Sequence, residues 1–106
     1  MGRWGVAVIP DLTPAEIERL ALLMEEMGEA AQAIGKILRH GYGSRHPDGG
    51  PTNREALEKE IGDVRAAISL MIEKGDLSVA ELWRHEEEKQ ESVKRYLHHQ
   101  YHQATS

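Results

Sequence analysis

The sequence predicts an all-α protein, built on two long antiparallel helices followed by a shorter third. Three observations carry this. Apolar residues recur at helical spacing in three separate stretches. Each stretch opens on a Ser or Thr with Glu three residues on, and the first two close on a glycine. Only residues 4–9 offer a short extended segment, or else a packing arm, and Pro10 ends it.

The first helix opens at Thr13-Pro14-Ala15-Glu16, where Thr13 caps, Pro14 suits the first helical position and Glu16 completes a capping box. Its stripe runs Ile17, Leu20, Met24, Met27, Ala31, Ile34 and Leu38, and Gly41 after His40 is a natural stop. Gly28 and Gly35 lie inside it at a cost of about 1 kcal/mol each relative to Ala, which marks them as places where something comes close. Residues 41–51 hold four of the ten glycines and two of the four prolines and read as a loop. That loop is longer than the usual connection between helices, a length that often serves a function. The second helix opens on the capping box Thr52-Asn53-Arg54-Glu55, carries Leu57, Ile61, Val64, Ile68, Met71 and Ile72 as its stripe, and stops at Gly75. The third opens at Ser78-Val79-Ala80-Glu81 with a sparser stripe of Leu82, Lys89, Val93, Tyr96 and Leu97. The whole of 1–106 is expected to be one domain, with residues 1–12 an N-terminal arm and 98–106 a flexible tail.

Composition narrows the partners. Eighteen acidic against thirteen basic residues give a net charge of -5, which argues against a nucleic-acid surface. The absence of Cys excludes disulfides, thiolate chemistry and Cys-ligated zinc. No apolar run approaches the roughly 18 residues of a membrane span, and the opening Met1–Pro10 does not read as a signal peptide, so no membrane partner and a cytoplasmic location are expected. With no Phe, the core must come from aliphatic residues, Met and Ala. A chain of this length buries only about 60–70% of its unfolded surface. An oligomer that shares a core is therefore expected.

The chemistry is concentrated in two acidic clusters, Glu25-Glu26-Met27-Gly28-Glu29 and Glu60-Ile61-Gly62-Asp63. Glu26 and Glu29 are three apart and share one side of their helix, as do Glu60 and Asp63 on theirs. Both pairs interrupt small, apolar faces: Leu22, Ala30, Ala33 and Ile37 on the first helix, Ala56, Ala67 and Leu70 on the second. Glu29 lies eleven residues before His40 and Glu60 seven after Asn53, which places them roughly 16 and 11 Å from the loop end, near one level. The ordinary use of such acids is a solvated face stitched by ion pairs. No basic residue stands at the favourable spacing beyond Glu26, Glu29 or Asp63, and Lys59, four before Asp63, has the weaker orientation. Carboxylates gathered in a poorly hydrated seam repel one another unless a proton or a cation intervenes. An all-oxygen donor set suits Mg²⁺, with Mn²⁺ possible, over zinc.

The pattern Glu25-Glu26-x-x-Glu29, thirty intervening residues, then Glu60-x-x-Asp63 resembles the signature of the MazG family of all-α nucleoside triphosphate pyrophosphohydrolases. The resemblance covers roughly residues 13–100, and the Gly-Pro-Thr-Asn lead into the second helix is similar to small phage and bacterial members. It implies a MazG-like helical bundle, completed as a homodimer or homotetramer, that hydrolyses an NTP or dNTP to the monophosphate and pyrophosphate with Mg²⁺. By position, Glu26, Glu29, Glu60 and Asp63 would be the metal ligands, and Glu25 a further ligand or the group that orients a water and accepts its proton. Lys36, Arg39, Arg54, Lys94 and Arg95 are available to hold phosphate charge, although for any one of them ordinary surface solvation is the commoner role.

Other residues give weaker signals. Trp4, Tyr42, Trp83 and Tyr96 can stack on a base, but Trp and Tyr at helical spacing more often pack. His98, His99 and His102 suggest a metal site but sit in the expected tail, and His40 and His46 flank the loop and could touch a phosphate, although a plain surface role is again the commoner one. Two rival readings stand beside the hydrolase. A di-metal carboxylate bundle of the ferritin type needs Glu-x-x-His pairs, and no His here has a Glu three residues before it. The other rival is a non-catalytic helical oligomerisation or interaction module that keeps the fold.

Overall fold

A computed structural model describes residues 11–100. Three α-helices are present: α1 (Pro14–His40), α2 (Asn53–Glu73) and α3 (Val79–Ser92), the last followed by a 3-10 turn over Val93–Arg95. No strand is found among the described residues. The expected N-terminal arm up to Pro10, Trp4 within it, and His102 lie outside the described residues.

The helix starts form for the reasons legible in the chain. Thr13 Oγ1 accepts from the Glu16 amide at 3.1 Å while Glu16 Oε1 accepts from the Thr13 amide at 2.8 Å. Thr52 and Glu55 repeat this reciprocal pair at the same distances. Each box satisfies two of the amides that a helix start leaves without partners. Ser78 caps α3 more loosely, accepting from Glu81 at 3.3 Å. Gly41 and Gly75 both take φ of +89°, a conformation that an L side chain resists, and so they end α1 and α2. The α-helical part of the third stretch is shorter than its apolar stripe suggested. It gives way to the 3-10 turn at Val93, leaving Tyr96 and Leu97 beyond it.

The described chain groups into two compact units that divide between Asp76 and Leu77. In the first, α1 and α2 form an antiparallel hairpin. At one end, Asn53 Nδ2 donates to the Gly41 carbonyl at 3.0 Å. At the other, Arg19 grips Asp76 with two hydrogen bonds, Nε to Oδ2 at 2.6 Å and Nη2 to Oδ1 at 3.0 Å. The buried centre is made of small residues and one Met: Ala30 and Ala33 from α1, Ala67 and Met71 from α2. Methyl-sized side chains at the seam let the two backbones approach, and that closeness brings the acidic pairs face to face. The long apolar stripe of α1 does not take part. Leu20 is 43% exposed, Met27 55% and Met24 72%. The hairpin packs on the small-residue face of α1 instead, because that face admits close contact.

The Arg19–Asp76 pair ties the open end of the hairpin and is largely screened from solvent, with side chains 15% and 14% exposed. Hydrogen bonding to the guanidinium holds the Asp76 carboxyl below the ordinary carboxylate range. A carboxylate whose proton affinity is lowered by folding stabilises the fold above its unfolded pKa and loses that contribution as pH falls through its folded value. Asp76→Asn is therefore expected to lower the melting temperature by several degrees at pH 7. The gap to wild type should close as the pH is taken down into the acid range, which thermal scans at a series of pH values would check.

In the second unit, α3 carries its charges on its surface. Arg84 bridges Glu81 at 2.7 Å and Glu88 at 3.0 Å, and Lys94 reaches Glu91 at 3.1 Å. These are exposed pairs at helical spacing, each worth a few tenths of a kcal/mol.

Candidate metal centre

The site is built where the two acidic pairs meet on the inner face of the hairpin. Glu26, Glu29, Glu60 and Asp63 each present a carboxylate oxygen within 4.8 Å of the other three. All four are half-buried. Glu26 and Glu29 lie one turn before Ala30 and Ala33 on α1, and Asp63 one turn before Ala67 on α2, so the acids continue the seam that the small residues open.

Two oxygens bear most directly on what the cluster can do. Glu26 Oε1 and Glu60 Oε1 are buried and have no hydrogen-bond partner. Leaving a charged acceptor desolvated and unpaired is costly. The Glu26 carboxyl answers that cost by holding its proton more tightly than an ordinary carboxyl. Burial is the main cause, followed by the negative charge of Glu29, Asp63, Glu25 and Glu60. A hard divalent cation among these oxygens would relieve both the desolvation and the mutual repulsion, and it favours carboxylate donors. The residues present therefore fit such an ion.

One sequence expectation needs correction. Despite the weaker orientation, Lys59 does pair with Asp63, Nζ to Oδ2 at 2.7 Å. The two are one turn apart on α2, with Lys59 68% and Asp63 39% exposed, so the pair is made on the solvent side. The amine is in turn held more basic by Asp63 first, then by Glu60 and Glu26. Lys59 neutralises part of the cluster from outside, and the two buried oxygens remain without partners.

The remaining residues singled out in the sequence are spread more widely. Glu25 is exposed and stands outside the group of four, although its charge acts on Glu26. Lys36 borders the acidic cavity together with Glu29 and Glu60. Arg39 lines a second cavity at the loop end. Arg54 is committed elsewhere, its guanidinium carbon 4.5 Å from the centre of the Tyr42 ring. Lys94 and Arg95 belong to the second unit, in its 3-10 turn, as do His98 and His99 just beyond. Tyr42, Trp83 and Tyr96 are exposed rather than core residues. Arg45, one wall of the loop cavity, was missed. Its only signal in the sequence was membership of a loop too long to be a mere connection.

No family model, no curated protein and no solved structure matches this chain.

Proposed function

We propose that the chain is a Mg²⁺-dependent nucleoside triphosphate pyrophosphohydrolase of MazG type, with Mn²⁺ able to substitute. The observation that carries the proposal is the group of four carboxylates within 4.8 Å, two of whose oxygens are buried without partners. Glu26, Glu29, Glu60 and Asp63 would hold the ion. When bound, it supplies charge neutralisation for a polyphosphate and acidifies water.

In the proposed reaction, a water oxygen bonds to phosphorus as the anhydride bond between the first and second phosphates breaks. The monophosphate and pyrophosphate leave, and the water's proton passes to a base. Glu25 is the assigned base: it stands next to the ligand Glu26, is exposed, and is left out of the group of four. Lys36, which borders the same cavity as Glu29 and Glu60, would take charge from the phosphates.

The proposal includes a homodimer or homotetramer. The exposed α1 stripe at Leu20, Met24, Met27, Ala31, Ile34 and Leu38 supports this, because alternating steps of four and three are the seam spacing of packed helices. The net charge of -5 is consistent with a partner other than nucleic acid. No helix among the described residues is long and apolar enough to cross a membrane, in keeping with the proposed cytoplasmic setting.

Assay of pyrophosphate release across the common NTPs and dNTPs tests the reading. At least one nucleotide should give pyrophosphate and monophosphate in equal amounts, with activity removed by EDTA. No release from any of them, or orthophosphate as the product, would contradict it. The rival reading, a non-catalytic oligomerisation module, draws on the Lys59–Asp63 pair, which partly neutralises the acids without a metal. Such a module would be indifferent to Mg²⁺ in a calorimeter.

A further inference from the structure

At the loop end of the hairpin lies a cavity of about 560 Å³, more than twice the size of the acidic one at about 240 Å³. Its walls differ in kind. Lys36, Arg39, His40, Arg45 and His46 line it, with no carboxylate and no Trp or Tyr among the lining residues. The other walls are small and uncharged. Three fixed positive charges in one concavity, on a chain whose net charge is -5, make a local exception to the molecule's own field. The lack of an aromatic wall speaks against a nucleobase, which is usually gripped by stacking.

The loop is held in place, and so are the cations it carries. The Asn53 amide donates to the Ser44 carbonyl at 2.8 Å and the Arg54 amide to the Tyr42 carbonyl at 2.9 Å, which lays the loop on the start of α2. Arg45 Nη1 donates to the Gly50 carbonyl at 3.2 Å, and Gly49 and Gly50 take φ of +99° and +97° to close the return. On the loop, Asp48 lies 3.6 Å from His46. At the start of α2, Glu55 accepts from the Thr52 amide in its capping box, and Thr52 first and Arg45 last keep it ionised. Neither is a wall of the cavity.

The two cavities share Lys36, Asn53 and Ala56, so the acidic end and the basic end adjoin along one side of the hairpin. The geometry points to a polyphosphate subsite in the loop cavity, one that binds phosphate charge without metal. It would receive the part of a polyphosphate chain farthest from the carboxylates. Its orientation relative to the substrate rests on the proposed hydrolase reading, whereas its affinity for a polyphosphate does not. Arg39 and Arg45 supply forked donors that match phosphate oxygens, and Lys36 bridges the two ends.

Calorimetry of the full chain with inorganic pyrophosphate in EDTA tests this. Wild type should bind, and Arg39→Gln with Arg45→Gln should weaken binding at least tenfold while Asp63→Asn changes it less than threefold. If the double variant loses helicity by circular dichroism, Arg45→Gln alone, a loop change, should still weaken binding at least threefold. Absence of binding by wild type, wild-type affinity in the arginine variants, or equal binding of sulfate at matched ionic strength would overturn the subsite. Retained pyrophosphate binding by a chain that shows no Mg²⁺-dependent hydrolysis would sink the hydrolase reading and leave the subsite standing.

Discussion

Asp63→Asn is expected to reduce Mg²⁺-dependent hydrolysis to below about 1% of wild type while helicity by circular dichroism stays unchanged. The substitution keeps the shape of the side chain and removes its charge. Loss of a group that merely orients a metal ligand commonly costs 10–100-fold, so loss of a ligand itself should cost at least about 100-fold. Stability should barely move, because among the described residues the ion pair lost is the exposed one with Lys59, and exposed pairs contribute little. Lys59→Gln separates the two roles of Asp63. If Asp63 serves the fold as a salt-bridge partner, both substitutions should act alike. If it serves as a ligand, Lys59→Gln should leave Mg²⁺ affinity intact or raise it, since a competing cation has gone.

The second large effect is expected on assembly. Met24→Lys combined with Met27→Lys should convert the wild-type oligomer to monomer at micromolar concentration, as read by sedimentation or light scattering. Both side chains are more than half exposed in the single chain, although each lies on the regular apolar stripe of α1. Fully burying an exposed Met side chain is worth about 1.5–3 kcal/mol, so with 72% and 55% left to cover a two-fold interface that loses four of them loses about 4–8 kcal/mol, to which four buried lysine charges add their own cost. Together these are comparable to the whole binding free energy of a micromolar to nanomolar dimer, about 8–12 kcal/mol. A monomeric wild type, or an unchanged oligomer in the variant, would remove the stripe from the account.

Much of the hairpin is legible in the chain because its determinants are local. Thr13 with Glu16 and Thr52 with Glu55 fix where α1 and α2 begin, and Gly41 and Gly75 fix where they end. The meeting of Glu26, Glu29, Glu60 and Asp63 follows from periodicity and distance along each helix, both properties of one dimension. What is not legible depends on choices between faces. The alternating stripe of α1 is the more hydrophobic face, yet the hairpin closes on Ala30 and Ala33, because close approach needs small residues and no propensity scale records that. The weaker helical orientation of Lys59 did not prevent its pairing with Asp63, since the charges of two further acids, Glu60 and Glu26, add to the attraction. The end of α3 at Ser92 escaped because its apolar spacing continues to Leu97 through a 3-10 turn. The basic cavity escaped for a different reason. It joins Lys36 and Arg39 on a helix to Arg45 and His46 on a loop, and only the folded loop brings them together.

The most direct measurement is a crystal of the full chain grown with MnCl₂, with anomalous differences recorded at the manganese edge. A peak within coordination distance of Glu26, Glu29, Glu60 and Asp63, and its disappearance in Asp63→Asn, is the predicted result. A map with no peak at that seam, its carboxylates turned out to solvent, would contradict the account.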